Sequence, residues 1–376
     1  MRLNQPLKLL LLPALLSCLA PASLAWGWST KEHILLTRLA ALRVLDDPQA
    51  PPEIKAWLRE ALPGLGDLEA QKQYLLTARV GVFPRGADGI AFWAVVPDLQ
   101  ALIDSGDPAD RVKKVEPFGV GERLLHFIDV EMFMADEARR TFRPDLSNKP
   151  RAQDFPRDMT DPRYQRAGML PFRIEQCYRQ LVTTIRDRRL LDQPGQFPRD
   201  EHASKWAGFL AHYTQDNTQP QHATEDYRSA SYFRANPRSP PNVHADLEYR
   251  LVDDEFEDYP ALRAELWDLL VNAIESDDPV QTRDRFDATV EVALRSYDAL
   301  PLIGEAAVKA YGVRPTSQKA FDADAFYHFR GVVDGRETSV LEVKARQMAW
   351  GARRTEKYWV QAWKEGNGPA DANDAR

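Results

Sequence analysis

The stretch EHASKWAGFLAHYTQDNTQPQH, residues 201–222, has apolar residues at helical spacing and ends in HYTQDNTQPQH, which contains two histidines and an aspartate. If its helix continues through the middle, His212 and Asp216 lie four residues apart on one face and can share a metal ion. Pro220 ends that helix and bends the chain, so that His222 can point back toward the same region. A single histidine is usually structural, and the metal interpretation therefore depends on the three residues together.

Apolar residues at helical spacing recur in most of the long segments of the chain. Capping boxes open two of them, Ser29 with Glu32 and Ser339 with Glu342. The predicted helical segments are 29–45, 121–140, 169–191, 201–216, 244–256, 259–275 and 339–366. Because no run of alternating β-branched residues indicates a sheet, the predicted fold class is all-α.

The first 25 residues are typical of a secretory signal peptide. Arg2 and Lys8 precede the apolar run LLLLPALLSCLA, and Ser23-Leu24-Ala25 has the small-x-small pattern of a cleavage site. A lipoprotein signal with Cys18 as the lipidated residue is the second interpretation. The predicted location is therefore periplasmic or secreted, after cleavage at Ala25.

The expected organisation behind the signal peptide 1–25 is one body at 26–300 and a helical extension at 301–364. The tail, 365–376, is expected to be disordered. The chain has 376 residues and a formal net charge of −7, which does not suggest electrostatic capture of nucleic acid, although metal ions can dominate a local field. Cys177 is the only cysteine left after cleavage, so packing, and metal if present, must stabilise the exported chain without an intrachain disulfide.

Further candidate ligands flank the central stretch on both sides. His244 and Glu248 are again four residues apart on a predicted helix, whereas Asp246 between them is expected to face solvent. Upstream, His126 lies in a predicted apolar helix, and Asp98 follows an apolar run and a proline, where a turn or a cap is the ordinary interpretation.

The mature amino terminus supplies another possible set of ligands. Cleavage after Ala25 exposes Trp26, whose free α-amine and carbonyl could fold back onto an ion bound by His33 in the first turn of the first helix. The two remaining histidines, His202 and His328, are predicted to be structural.

Taken in order, these elements resemble the superfamily of zinc-dependent phospholipases C and single-strand-specific nucleases. The matching elements are the tryptophan of WGWSTKEH, His33, Asp98 in a Pro-Asp turn, His126 in LLHFIDVE, HYTQDNTQPQH and HADLE. The match covers most of residues 26–255. It implies one all-helical phospholipase C/nuclease-type domain with three zinc ions (Zn²⁺).

The resemblance also implies which residues bind each ion. Asp98, His126, His212 and Asp216 would bind one; Trp26, His33 and a shared Asp216 a second; and His222, His244 and Glu248 the third. Histidine and carboxylate ligands without cysteine are typical of catalytic zinc. Such a cluster suits the hydrolysis of phosphodiesters, with Asp98 as a ligand that also accepts a proton.

The sequence favours a phospholipase C-like enzyme over a single-strand-specific nuclease. Glu248 and the lack of disulfides resemble the phospholipases, and no arginine follows Asp98 as it often does in the nucleases. The spacing from His222 to His244 and the phrase LHFIDVE are nuclease-like, and Phe127 in that phrase could stack on a base or pack in the core. The spacing from Trp28 to His33 is nuclease-like too, and would require cleavage after Gly27.

The expected partner is thus a phospholipid, with transient contact to a membrane surface, or a single-stranded nucleic acid; no protein partner is predicted. A third hypothesis is a zinc-bearing protein without catalysis, whose helical extension binds a partner through Arg353, Arg354 and Lys357. The simpler interpretation of those three residues is a solvated helix face.

Overall fold

A computed structural model describes most of the chain from Trp28 onward. The described residues are 28–77, 79–81, 87–105, 113–134, 143–188, 191, 202–233, 240–254, 257–276, 279–315 and 320–368. The expected signal peptide, Trp26 and residues 369–376 lie outside these ranges.

Helices make up most of this structure, which confirms the all-α prediction. They are α1 (Thr30–Asp46), α2 (Pro52–Ala61), α3 (Leu68–Thr77), α4 (Gly89–Trp93), α5 (Val96–Ser105), α6 (Tyr164–Ala167), α7 (Leu170–Arg186), α8 (Ala203–Asp216), α9 (Val243–Ala245), α10 (Leu251–Asp253), α11 (Pro260–Ile274), α12 (Arg285–Tyr297), α13 (Leu300–Tyr311), α14 (Ala323–Tyr327) and α15 (Val340–Asn367). A π-helical turn, Asp246–Arg250, joins α9 to α10. No helix in the described part of the chain is both long and apolar enough to cross a bilayer.

Two small antiparallel hairpins interrupt the helices. One pairs β1 (Lys114–Val115) with β2 (Val120–Gly121), and the other pairs β3 (Arg330–Val333) with β4 (Arg336–Ser339). In the second hairpin Arg330 lies opposite Ser339, which is also the N-cap of α15. Neither hairpin is predicted from the sequence, because the strands are too short to show an alternating pattern of polar and apolar residues.

The helix predicted over 121–140 does not form. Its described part instead contains two 3₁₀ turns, Glu122–Leu125 and Val130–Phe133, so His126 does not lie in a helix. The backbone N–H of Ile128 donates to the carbonyl of His222 (2.9 Å), and that of Asp129 donates to Ala167 (2.7 Å). These N–H groups donate to neighbouring segments and do not form the i to i−4 hydrogen bonds of a helix. Because the spacing of apolar residues cannot show such tertiary hydrogen bonds, the helix prediction was wrong here.

Helices α1 and α15 lie between two large apolar clusters and contribute to both. On α1, Ile34 belongs to the first cluster and Leu35 to the second. On α15, Met348 belongs to the second cluster and Trp359 to the first, where its indole N–H donates to the carbonyl of Ala207 on α8 (3.1 Å). The last helix, predicted as part of an extension, is therefore packed inside the body, and it continues to Asn367, into the expected tail.

A glycine allows the short helix α4 to lie directly against α8. A Cβ at Gly208 would lie 2.5 Å from the Cβ of Trp93 and 2.7 Å from the carbonyl oxygen of Ile90, closer than atoms can pack. The same contact fixes Ala94, whose carbonyl oxygen lies 2.8 Å from Nδ1 of His212, one turn beyond the glycine. The helix–helix contact thus positions a candidate ligand.

We expect the substitution Gly208→Ala to destabilise the protein by about 1–3 kcal/mol, because the added methyl group must separate α4 from α8. Urea unfolding measures this directly. Glu60→Ala, on an exposed face of α2, is the control and should leave the unfolding midpoint nearly unchanged. A Gly208→Ala protein as stable as the wild type would contradict the tight α4–α8 contact.

Candidate metal centre

The carboxylate of Asp216, at the end of α8, lies among the rings of several histidines. Its Oδ2 is 2.8 Å from Nδ1 of His126 and 3.1 Å from Nε2 of His212, and its Oδ1 is 3.3 Å from Nε2 of His33. Asp216 and these three histidines are all completely buried. A fourth ring, that of His222, has its Nδ1 4.0 Å from Oδ2. The spacing of His212 and Asp216 on one helix face is as predicted.

Asp98 lies on the solvent side of the same cluster and is its most exposed member. Its side chain is 14% exposed, and its Oδ1 lies 3.7 Å from both Nδ1 of His126 and Nε2 of His212. Its Oδ2 is 3.7 Å from Nε2 of His33. The Pro-Asp pattern predicts a turn or a cap at this residue, but Asp98 lies in the first turn of helix α5.

A second cluster lies next to the first and contains His222, His244 and Glu248. Nε2 of His244 lies 2.7 Å from Oε2 of Glu248, yet neither ring nitrogen of His244 has a hydrogen-bond partner among the described residues. His222 comes from the 3₁₀ turn Pro220–Ala223, which follows α8 as the proline predicted. Its ring centroid is 5.2 Å from that of His244.

Every candidate ligand that the structure describes thus lies in one of three donor groups. The groups are Asp98, His126 and His212; His33, His212 and Asp216; and His222, His244 and Glu248, with the donor atoms of each within 4.8 Å of one another. These groups are compatible with metal binding. Trp26, the remaining candidate ligand, lies outside the described residues.

Neighbouring oxygen atoms orient the histidine rings. Nδ1 of His33 lies 2.7 Å from Oε1 of Gln215, and Nδ1 of His222 lies 2.7 Å from the carbonyl oxygen of His126. A ring whose Nδ1–H is bound in this way presents the lone pair of Nε2 to an ion. Gln219 donates from Nε2 to Oε2 of Glu248 (2.9 Å), which gives the Gln-Pro dipeptide of the central stretch a physical role.

Several buried polar atoms of the candidate ligands have no hydrogen-bond partner in the described part of the chain, and their arrangement indicates whether the site can hold a cation. Nε2 of His33, Oδ1 of Asp98, Oδ1 of Asp216 and Oε1 of Glu248 are buried and have no hydrogen bond among the described residues. Leaving such atoms unpaired is costly, and native proteins rarely do so without a ligand or water. Nitrogen and oxygen donors that converge in this way fit a divalent cation.

The electrostatics of the site also suit a cation. Burial lowers the pKa of His212, of His222 and of His244 to about 3, so the rings are neutral, as ligands must be. Burial and the nearby charge of Asp216 raise the pKa of Asp98 well above its usual range, and burial does the same to the pKa of Glu248. A cation would stabilise both carboxylates in their charged forms.

The pKa of Asp216 moves in the opposite direction. Burial acts to raise this pKa, but His212, His222 and His126, which face the carboxylate, outweigh that effect and hold it well below the usual range. Asp216 is therefore an anion at neutral pH and lies within reach of two of the donor groups. One buried charge of this kind can serve two ions.

The residues between and beyond the ligands differ from expectation in two places. Asp246, expected to face solvent, is buried and accepts hydrogen bonds from the hydroxyl of Tyr311 (2.7 Å) and from Nε of Arg250 (2.7 Å). His328 lies away from the centre as predicted, but it is an exposed residue that pairs with Asp324 and Glu265. Gln215 and Gln219, which contact the candidate ligands, are not predicted as site residues. Only Gln219 could have been found from the sequence, through its place in the recognised motif.

No protein-family model matches this chain, and comparison with curated proteins and with solved structures gave no match either. Only the geometry and chemistry of the site therefore indicate a function.

We expect Asp216→Asn to lower the metal content of the zinc-equilibrated protein, because a neutral amide cannot replace the carboxylate that belongs to one donor group and lies within reach of a second. Metal analysis after dialysis should show fewer bound ions per chain than in the wild type. His328→Ala, which removes an exposed histidine far from these groups, should bind as much metal as the wild type. An Asp216→Asn protein with undiminished metal content would contradict the central role of this residue.

Proposed function

We propose that the protein is an exported zinc-dependent phosphodiesterase that binds three ions. The observation that carries this proposal is the convergence of five histidines and three carboxylates on three adjacent donor groups. Catalytic zinc typically has three or four nitrogen and oxygen ligands, which agrees with this composition. Structural zinc sites rely mostly on cysteine, and Cys177, the free cysteine among the described residues, is not one of the donors.

When bound, zinc supplies Lewis acidity, which lowers the pKa of water toward about 7 and stabilises negative charge on phosphate oxygens. The chain's own part is to hold the donors rigid and to handle the proton. Asp98 suits the second task because it is the most solvent-accessible carboxylate of the centre and its Oδ1 has no hydrogen-bond donor among the described residues. It would accept the proton of the attacking water at that atom.

A cation beside the third donor group would help to bind the phosphate. The guanidinium of Arg228 lies 5.5 Å from the ring centroid of Tyr227, whose ring is 5.7 Å from that of His244. Its charge is close enough to contribute to lowering the pKa of His244. The run from Asp98 to Ala101 contains no arginine, and Arg228 would supply a positive charge beside the third donor group.

We favour a phospholipid as substrate, as the glutamate at position 248 suggests, with transient contact to a membrane surface. A single-stranded nucleic acid is the alternative, and one observation supports it. The half-buried ring of Phe127 stacks on that of His222 at 4.4 Å between centroids and so lies at the edge of the third donor group. Aromatic side chains in such places stack on bases.

The zinc-loaded mature protein should hydrolyse bis(p-nitrophenyl) phosphate, and chelation should abolish the activity. Asp98→Asn should lower kcat by about 10²–10⁴-fold, the usual contribution of a general base, and more if an ion is lost. His328→Ala is the control and should retain full activity. No turnover by a fully zinc-loaded protein would instead favour the non-catalytic hypothesis.

Two natural substrates then decide the class. Release of a head group from phosphatidylcholine vesicles, without cleavage of single-stranded DNA or RNA, is the expected result. Cleavage of single-stranded nucleic acid without release of a head group would instead identify the protein as the nuclease alternative.

The contacts of Trp28 support cleavage after Gly27 in preference to cleavage after Ala25. Trp28 is completely buried, and its indole N–H donates to the carbonyl of Gln215 (2.9 Å), the residue before Asp216. This side chain anchors the start of the described chain next to the residues that carry the second donor group. We propose that the free amine of Trp28 completes that group, in the place first assigned to Trp26.

Intact-mass measurement of the exported protein should therefore give an amino terminus at Trp28. An additional methionine retained before Trp28 should weaken zinc binding, because it replaces the free amine by an amide. A mature protein that begins at Trp26 would restore the original assignment, and retention of a lipid on Cys18 would contradict both.

A further inference from the structure

A buried lysine of the last helix touches two of the segments that carry ligands. Nζ of Lys344 on α15 donates to the carbonyl oxygens of Leu247 (2.7 Å) and Glu248 (3.3 Å). It also pairs with the carboxylate of Glu32, which precedes His33, and lies 4.8 Å from the ring centroid of Trp28. Lys344 is completely buried, and these contacts are made inside the protein and away from solvent.

The two carbonyls belong to the π-helical turn Asp246–Arg250. A π turn breaks the regular ladder of i to i−4 hydrogen bonds; such turns are rare and are frequently found at functional sites. Carbonyl oxygens in such a turn need other donors, and a buried ammonium group provides them. Because Glu248 lies inside the turn, the bonds from Lys344 fix the peptide groups on either side of this ligand.

Glu32 fixes the ammonium group in turn. Its Oε2 accepts a hydrogen bond from the backbone N–H of Ser29 (3.0 Å), the N-cap of α1, while its Oε1 faces Lys344. The start of α1 and the π turn are therefore joined through one lysine. The first carries His33, and the second carries Glu248.

We propose that Lys344 is a positioning residue of the third donor group. The last helix, α15, would then help to hold a ligand of the metal centre in place. The inference rests on the proposed zinc centre, and it assigns a role to the segment first described as an extension. Lys344 touches neither the ions nor the substrate. It acts by holding the backbone of Glu248, on whose orientation the third ion depends.

The test compares zinc affinities by competition with a chromophoric chelator. Lys344→Met keeps the length of the side chain and removes the donor, but leaves Glu32 as an unpaired buried charge. The double variant K344M/E32Q removes both charges and so isolates the lost carbonyl bonds. We expect it to bind two ions as the wild type does, and the third about 10–100-fold more weakly, the usual effect of losing a group that orients a ligand.

The single variant E32Q separates positioning from mere charge neutralisation. It keeps Lys344 and its bonds to the π turn, and glutamine preserves the capping box with Ser29. We expect E32Q to bind all three ions. If the third ion is lost equally in E32Q and K344M/E32Q, the ion pair alone matters and the inference is wrong.

Lys364→Met, at an exposed position of the same helix, is the matched control and should bind three ions normally. Circular dichroism in the presence of chelator establishes whether each variant is folded. If the double variant does not fold, loss of the third ion from E32Q alone still overturns the inference. A folded double variant with three unchanged affinities also overturns it, without affecting the proposed function. A wild-type protein that binds fewer than three ions would instead contradict the zinc centre itself.

Discussion

The buried carboxylate of Asp216 is the constraint on which the rest of the structure depends. An anion taken out of water costs several kcal/mol unless its surroundings compensate. Here histidine rings surround it, with Nδ1 of His126 2.8 Å away and Nε2 of His212 3.1 Å away. Imidazole rings at such distances only partly replace water. Cations between the rings and the carboxylate would complete the compensation and make use of the unpaired donor atoms.

The helical framework follows from the need to hold these donors in place. The ligands come from α1, α5, the segment around His126, α8, the turn Pro220–Ala223 and the helix interrupted by a π turn. Local periodicity alone cannot fix so many segments to within a few ångströms. The buried bonds between segments do so, such as those from Ile128 to His222 and from Lys344 to the π turn. The part of the chain that the structure describes, in which Cys177 is a free thiol, thus gains rigidity from the same contacts that arrange the candidate ligands.

Some of this site is readable from the sequence because it depends on local geometry. The pairs His212 with Asp216 and His244 with Glu248 share a face through helical spacing, and Pro220 turns His222 back toward them. The orientation of Asp98 and His126 depends on tertiary contacts. Periodicity predicted a helix at His126, and the Pro-Asp pattern predicted a turn or a cap at Asp98, whereas the structure has neither. Lys344 gave no signal, because a lysine in an amphipathic helix is ordinarily exposed. The structure brings the eight described candidate ligands together in three donor groups, with His212 in two of them. That these groups bind zinc and act on phosphodiesters is our proposal.

Anomalous diffraction from crystals of the mature protein, collected on both sides of the zinc absorption edge, tests the central claim most directly. The account predicts three zinc peaks, one in each donor group, with Asp216 bound to two of the ions. Crystals grown with zinc that show no anomalous peak among these histidines would contradict it.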